Sequence, residues 1–327
     1  MMEHRSINGL SVSVVGLGCN QFGTKACDES TSRRIIDEAI DAGITFFDTA
    51  DEYGSNYFDP TDPEGWGRSE EIVGRAVASR RDDVVIASKV GSHPHGDRST
   101  GGNSARWIRT AVEDSLRRLG TDRIDLYQLH FPDPSVPIAE TLTALDELVQ
   151  AGKVREVGCC NFSAAELREA ASTADALGVR RLVSAQDALN LFQQRVLDDV
   201  IPVCAELEMS FLPYYPLASG MLTGKYRRGQ PIPAGTRITD QVDDATRARI
   251  LSDRAFARVE ALEVFAQARG HTLLDLAFGW LLAQPTLASV IAGAARPGQV
   301  TANARAGGWR LTADEAAEAA AIVAAAV

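Results

Sequence analysis

Residues 45–54 read TFFDTADEYG, a short apolar run that ends in an acid and is soon followed by a phenol. Thr45, Phe46 and Phe47 are β-branched or aromatic and run directly into Asp48, which predicts a short buried strand with a carboxylate at its end. Tyr53 follows on the same loop, just before Gly54. This strand end therefore presents a carboxylate and a phenol together.

Two other predicted strands also end in a titratable residue. Residues 84–89 (VVIASK) are apolar until Lys89, and residues 124–130 (IDLYQLH) are largely apolar until His130. Each of these residues, taken alone, fits a satisfied side chain at a strand terminus. Four titratable residues of complementary type at carboxyl ends of strands instead indicate a reaction site.

The rest of the chain alternates strands with amphipathic helices. An opening stretch, 7–15, alternates around Asn8-Gly9 and predicts a small hairpin. Eight further strands are predicted, each followed by helical sequence: 14–17, 45–48, 84–89, 124–129, 155–160, 183–186, 210–214 and 288–292. This pattern favours a parallel (β/α)8 barrel (TIM barrel) with an N-terminal hairpin and extra C-terminal helices, as one domain over residues 1–327.

The alternative fold is a doubly wound sheet with a dinucleotide-binding turn. The first turn reads GLGCNQ, so Gln21 stands where the G-x-G-x-x-G fingerprint requires a third glycine. We also expect Ser30 or Thr31 to cap the first helix, which runs to Asp41, and residues 217–250 to form a long loop. In a barrel, the carboxyl ends of all strands meet at one mouth, which would bring the four titratable residues together.

Composition limits the classes of partner. A net charge of −11 and a pI near 5.0 argue against general nucleic-acid binding. No apolar stretch approaches the length of a membrane span, and the start, MMEHRSING, carries no secretory segment, so we expect a soluble cytoplasmic protein. The five cysteines lack the spacing of metal ligands, so we expect free thiols. His93 and His95 alone are too few for a metal site. The expected state is a monomer, with a homo-oligomer left open.

The motifs in their order resemble those of the aldo-keto reductases, a family of (β/α)8 barrels that bind nicotinamide cofactors without a dinucleotide fold. After the hairpin they are GLG, FFDTADEYG, ASK, LYQLH, GKVREVGCCNFS, the strand of Gln186, YYPLASGMLTGKY and IAGAARPGQVTAN. The resemblance is greatest to the branch that includes bacterial aldo/keto reductases and potassium-channel β subunits. It implies a catalytic tetrad made of Asp48, Tyr53, Lys89 and His130.

The chemistry of these four residues suits carbonyl reduction. Hydride addition to a carbonyl leaves an alkoxide, which needs a proton donor beside it. A free tyrosine has a pKa of about 10, and a lysine cation would stabilise its phenolate. We therefore expect Tyr53 to be the acid, Lys89 to assist it, Asp48 to hold Lys89, and His130 to donate to the substrate oxygen.

The resemblance also implies residues that contact the cofactor. Asn161 and Gln186 correspond to amides that hold the nicotinamide carboxamide, Cys160 replaces a serine that is usual there, and Tyr214 corresponds to the ring that stacks on the nicotinamide. The remaining expected contacts are Gly18, Cys19, Asn20, Pro216, Leu217, Ala218, Gly220, Leu222, Lys225, Arg237, Gly293, Arg296, Gln299 and Asn303.

Three of these residues bear on the choice between NADPH and NADH. Arg296, Lys225 and Arg237 would form a pocket for a 2′-phosphate, because arginine suits phosphate oxygens geometrically. The expected cofactor is therefore NADPH rather than NADH. Gln299 and Asn303 lie four residues apart on a predicted helix, so both amides should reach one ligand, although Ala295 and Ala302 replace a hydroxyl and an acid often seen nearby.

The substrate pocket is expected to come from loops at the barrel mouth, with aromatic side chains around the tetrad. The candidates are Phe22, Tyr57, Phe58, Phe131 and Trp309. Three functions follow from the resemblance: an NADPH-dependent reductase of a small aldehyde or ketone, an NAD(P)-dependent sugar or alcohol dehydrogenase that uses the same residues, and a cofactor-sensing regulatory subunit. The intact tetrad favours the reductase.

Overall fold

The computed structural model describes residues 2–54, 65–93 and 101–325, in which strands and helices alternate. The strands are β1 (His4–Ile7), β2 (Leu10–Ser13), β3 (Val15–Gly18), β4 (Phe46–Asp48), β5 (Val85–Val90), β6 (Ile124–Leu129), β7 (Val154–Cys160), β8 (Ser184–Ala188), β9 (Ser210–Tyr214) and β10 (Val290–Gly293).

Helices cover the outside of the strands. They are α1 (Glu29–Asp41), α2 (Arg68–Val77), α3 (Ala105–Leu119), α4 (Ile138–Gln150), α5 (Ala164–Leu177), α6 (Val200–Glu206), α7 (Arg237–Asp240), α8 (Asp244–Ile250), α9 (Asp253–Gln267), α10 (Leu273–Leu282), α11 (Gln299–Ala306) and α12 (Ala313–Ala325).

Eight parallel strands form a nearly closed barrel, which confirms the predicted fold class. Their order is β10, β3, β4, β5, β6, β7, β8, β9. The two end strands approach each other through a parallel bridge between Phe211 and Leu287. Because all eight run the same way, their carboxyl ends open at one mouth, as in other barrels of this kind.

The predicted hairpin is present and closes the opposite end of the barrel. Its two strands are joined by Asn8 and Gly9, which both have positive φ, at 45° and 92°. Such a turn matches the twist of the paired strands and explains the Asn-Gly pair. Ile7 and Leu10 are buried in one apolar cluster with Phe46 from the barrel interior, so the hairpin plugs the amino-terminal end.

Several local predictions differ from the structure. The cap of α1 is Asp28, whose carboxylate accepts from the N–H of Thr31, rather than Ser30 or Thr31; Asp is as good a cap as Ser and stands one turn earlier. The predicted long loop at 217–250 contains a 3-10 helix at Ala218–Thr223 and the short helices α7 and α8. The sequence of this segment is rich in glycine and proline, so it shows no clear helical pattern.

Candidate active site

The polar residues of the barrel form a layer directly above its apolar filling. Phe46 and Leu126 lie in the apolar cluster inside the barrel, and Asp48 and Gln128 come two residues later on the same strands. Since side chains alternate along a strand, residues two apart point to the same side. Lys89 follows Ala87 on β5 in the same manner. The strand period therefore places a carboxylate, an ammonium and an amide together at the mouth.

Lys89 is the centre of this layer. Its Nζ donates to Asp48 Oδ2 at 2.7 Å, to the carbonyl of Thr49 at 2.9 Å and to the phenol oxygen of Tyr53 at 3.2 Å. The side chains of Lys89 and Asp48 are only 1% and 4% exposed. Burial acts to lower the pKa of Lys89, but Asp48 and Tyr53 outweigh it and the pKa is raised, so the cation persists.

The second oxygen of Asp48 is held by two amides. Gln186 Nε2 donates to Asp48 Oδ1 at 3.0 Å and Gln128 Nε2 at 3.3 Å, and the two glutamines are themselves bonded at 3.2 Å. Gln128 was not among the sequence-predicted residues, because an amide inside a strand gives no signal of function by itself. Cys160 is buried in the same layer, with its thiol 3.8 Å from Gln128 Oε1.

Tyr53 is carried by a tightly braced loop. Ser69, in the first turn of α2, donates its N–H to the Tyr53 carbonyl at 3.1 Å and its hydroxyl to the Cys19 carbonyl at 2.9 Å. Gly54 has φ +109° and packs so closely on Arg68 and Ser69 that a side chain would collide with them. The glycine after Tyr53 is thus required by this close approach.

Burial decides the protonation of Tyr53. It raises the pKa of the phenol above its usual value near 10, and the nearby Lys89 cation only partly opposes this. The sequence-based expectation that Lys89 favours the phenolate has the correct sign, but burial outweighs it. The phenol is therefore protonated near neutral pH and can donate.

His130 follows β6 and lies edge-on to Tyr53, with ring centroids 5.7 Å apart at 76°. Its backbone N–H donates to the Val90 carbonyl at 2.7 Å, and its own carbonyl accepts from Asn161 Nδ2 at 2.9 Å. Burial, followed by the Lys89 cation, holds the pKa of His130 well below its usual value. The four predicted catalytic residues thus lie together at the mouth, with a neutral imidazole beside a neutral phenol.

Two residues expected to touch the nicotinamide are bonded to each other. The hydroxyl of Tyr214 donates to Asn161 Oδ1 at 2.9 Å, which continues the chain from Asn161 to His130. Asn161 itself has φ +63°, a left-handed conformation that asparagine tolerates better than most residues. Tyr214 lies at the end of β9, partly exposed, so its ring borders the mouth.

The segment after β9 has an unusual backbone. Ala218, Ser219 and Gly220 have consecutive positive φ values of 47°, 57° and 89°. Such conformations cost energy in residues other than glycine and are found most often at functional sites. Pro216 and Leu222 are buried, so any contact they make with a ligand at this turn involves the backbone.

Positive charge gathers beside this segment. Lys225 folds back over Gly220, and Arg296 Nη2 donates to the Gly235 carbonyl at 2.7 Å. Partial burial and then the Arg296 cation lower the pKa of Lys225. Arg237 lies over the ring of Tyr215. In the described ranges no ion pair joins Lys225, Arg237 or Arg296 to an acid, which leaves an anion-attracting cluster.

The glycines expected to line the cofactor site also meet at the mouth. Gly18 ends β3 and pairs with Gly293, the end of β10, and Asn20 lies beside Gly293. The Cys19 side chain is fully buried, so only its backbone is available to a ligand.

The two amides of α11 do not share one open face. Gln299 is exposed, and its Oε1 accepts from the N–H groups of Ala295 and Arg296 at 2.9 and 3.1 Å. Asn303 is buried. The expectation that both amides reach one ligand overlooked this local use of Gln299.

The predicted substrate residues are scattered. Phe131 is 43% exposed and stacks on His130 with centroids 4.7 Å apart, so it borders the site, whereas Phe22 is fully buried. Trp309 stacks on His271, and the neighbouring Gly307 packs on Val15, at the start of β3. Through these contacts Trp309 packs beside α10, and its place in the substrate pocket stays a prediction. Tyr57 and Phe58 lie outside the described residues.

Three further observations concern the described residues alone. They contain no helix with the length and apolar character of a membrane span. No group of three or more His, Cys, Asp or Glu side chains among them is arranged to hold a metal ion. The cysteines are all buried and unpaired.

Comparison with known proteins shows similarity over nearly the whole chain. The model of the aldo/keto reductase family matches residues 14–324. The chain is 34% identical to the aldo-keto reductase YhdN of Bacillus subtilis (strain 168), over 96% of this chain and 91% of that protein. It is 31% identical to a probable voltage-gated potassium channel subunit beta of Arabidopsis thaliana, over 93% and 91%. The structure of the glycerol dehydrogenase AKR11B4 from Gluconobacter oxydans is similar, with a TM-score of 0.79, 30% identity and coverage of 100% and 95%.

Proposed function

The chain belongs to the aldo/keto reductase family of NAD(P)H-dependent oxidoreductases, and we propose that it is an NADPH-dependent reductase of small aldehydes or ketones in which Tyr53 donates the proton. The observation that carries this proposal is the contact of one buried ammonium, Lys89, with both the Asp48 carboxylate and the Tyr53 phenol.

Tyr53, Lys89 and Asp48 have different roles in carbonyl reduction. Reduction adds a hydride to the carbonyl carbon and a proton to its oxygen; the bound nicotinamide cofactor supplies the hydride. Tyr53 is protonated near neutral pH and gives its proton to the oxygen as negative charge develops there. Lys89 stabilises the phenolate that remains, and Asp48 holds Lys89 in place. In the oxidative direction the same groups act in reverse.

The residues at the mouth fit a nicotinamide dinucleotide with a phosphorylated ribose. The left-handed turn at residues 218–220 and the cations of Lys225, Arg237 and Arg296 together suit the phosphates. These three cations form no ion pair with an acid in the described ranges, and a third phosphate group would benefit from them, which supports NADPH over NADH. Asn161, Gln186 and Tyr214 would hold the nicotinamide end.

The substrate class follows from the one exposed aromatic side chain described next to the tetrad. Phe131 stacks on His130 and shows 43% of its surface, so it offers an apolar wall next to the reacting oxygen. A small aldehyde or ketone with an apolar or ring portion fits this wall. The buried free thiols also suit a reducing compartment, so we propose a cytoplasmic location, and we keep a monomer as the working state.

A second function, the oxidation of a sugar or alcohol, is favoured by one specific observation. The chain is 30% identical to a glycerol dehydrogenase whose structure it matches over its whole length. Aldehyde reduction with NADPH and polyol oxidation with NADP⁺ or NAD⁺, each assayed across pH, separate the two candidates.

The test is the Tyr53→Phe variant. We expect turnover of an aromatic aldehyde to fall by about 10²–10⁴-fold, since a general acid contributes that much. NADPH binding, followed by quenching of protein fluorescence, should be nearly unchanged. The matched control is Tyr127→Phe, which removes a buried phenol from the face of β6 that packs on the helices. Retained activity in Tyr53→Phe would place the proton donor elsewhere, and tight binding without turnover in the wild type would favour a cofactor-sensing subunit.

A further inference from the structure

Glu52 is an acid beside the tetrad to which sequence reasoning assigned no role. It lies on the β4–α2 loop directly before Tyr53, and its side chain is 12% exposed. Its Oε1 lies 3.4 Å from Nδ1 of His130. This distance is slightly long for a hydrogen bond, and catalytic hydrogen bonds are often long before substrate binds.

The surroundings of His130 leave Nδ1 without another acceptor. Nδ1 is buried and has no hydrogen-bond partner among the described residues. The backbone of His130 is bonded to Val90 and Asn161, and its ring packs edge-on against Tyr53 and flat on Phe131. Within the part of the chain that the structure describes, the charged groups that face the ring are Glu52 from this loop and Lys89 from β5.

The ring nitrogen that carries the proton determines whether a neutral imidazole donates a hydrogen bond to the substrate or accepts one from it. A neutral histidine carries a proton on only one nitrogen, and the partner of that nitrogen selects which one it is. If Nδ1 carries it, Nε2 is an acceptor and suits the hydroxyl of an alcohol. If Nε2 carries it, the ring donates to a carbonyl oxygen. In the imidazolium both nitrogens donate.

We propose that Glu52 is a positioning residue that holds the proton of His130 on Nδ1 and leaves Nε2 for the substrate oxygen. The consequence, which rests on the proposed function, is that the neutral ring accepts from an alcohol and only the imidazolium donates to a carbonyl. Reduction then depends on protonation of His130, and oxidation on its neutral form. Glu52 thereby couples the preferred direction of the reaction to pH.

The direct test reads the tautomer without any turnover. The protein is labelled with ¹⁵N-histidine, and the His130 signals are identified among the five histidines by their loss in His130→Gln. Wild type should show protonated Nδ1 in the neutral ring. Glu52→Leu has a similar volume but accepts no hydrogen bond, so the ratio of the two tautomers should change by about tenfold or more, as loss of a charge-assisted bond implies. Glu71→Gln, at a partly exposed acid on α2, is the control. An Nε2-protonated ring in wild type, or no change in Glu52→Leu, would overturn the proposal.

The kinetic test separates positioning from a structural role. In Glu52→Gln the amide oxygen still accepts from Nδ1 but the negative charge is gone, so the fall of reduction with rising pH should move to lower pH. In Glu52→Leu that dependence should weaken, because the neutral ring is then able to donate from Nε2. An equal loss at every pH would indicate a merely structural role and contradict the proposal. If no carbonyl turns over in wild type, the proposed function fails while the tautomer measurement still stands.

Discussion

Replacing Asp48 with asparagine should destabilise the protein through the lysine it leaves behind. Lys89 is buried and has three acceptors, of which Asp48 is the charged one. The amide keeps the shape of the carboxylate but not its charge, so an uncompensated ammonium stays in the barrel. Removing one partner of a buried ion pair typically costs about 3–5 kcal/mol. We expect the free energy of unfolding of Asp48→Asn to fall by about that amount.

Two companion variants, Lys89→Met and the double variant, test whether the uncompensated charge causes this loss of stability. In Lys89→Met the Asp48 carboxylate keeps the amide donors of Gln128 and Gln186, so its cost should lie at the low end of that range. The double variant removes both charges and should recover much of the loss, with a coupling energy of about 2–3 kcal/mol. Urea unfolding followed by circular dichroism at neutral pH measures all three. If the losses in unfolding free energy of the two single variants simply added up in the double variant, this explanation of the ion pair would be wrong.

The pH dependence of Asp48→Asn gives a second check. Without Asp48, burial acts on Lys89 with less opposition and lowers its folded pKa below the ordinary value. The unfolded chain then binds more protons than the folded one between those two pKa values, so stability rises with pH in that window. The penalty of Asp48→Asn should therefore shrink toward pH 10. A constant penalty would contradict the assignment to a buried charge.

Two further variants test other parts of the site. Arg237→Ala should weaken NADPH binding more than NADH binding, in fluorescence titrations of both nucleotides; equal weakening would show that this arginine does not read the 2′-phosphate. Asp51→Asn should stabilise the protein. Burial, then the charges of Glu70 and Glu52, raise the pKa of Asp51 well above its ordinary value, so the folded state keeps a proton that the unfolded state loses. The gain in unfolding free energy should thus grow by about 1.4 kcal/mol per pH unit above the ordinary pKa, and an equal gain at pH 5 and pH 7 would count against this.

The barrel, and the meeting of three titratable residues at its mouth, could be predicted from the sequence because both depend on strand periodicity. An apolar run that ends in a titratable residue shows where a parallel strand reaches the mouth, and this holds for Asp48, Lys89 and His130. The same period contains Gln128, but an amide inside a strand gives no signal of function by itself. Its role emerged only from its contact with Asp48.

Other features depend on tertiary contacts that no local pattern carries. Trp309 was expected in the substrate pocket, and only the structure shows that its ring stacks on His271, just before α10. Glu52 lies on a polar loop in which an acid is unremarkable until the structure brings it near Nδ1 of His130. The short helices in 217–250 form from sequence rich in glycine and proline, in which local propensity is weak.

The protonation states of the site together explain why its response to pH should come from His130. Lys89 and Tyr53 both have raised pKa values, so neither changes charge near neutral pH. Asp48 accepts from the Lys89 ammonium and from the amides of Gln128 and Gln186, which hold its carboxylate in place. His130 is the member of the tetrad whose proton is weakly held, because burial and Lys89 oppose its charge. Glu52 is the acid 3.4 Å from its Nδ1, so under our proposal the balance between the two directions of the reaction depends on Glu52.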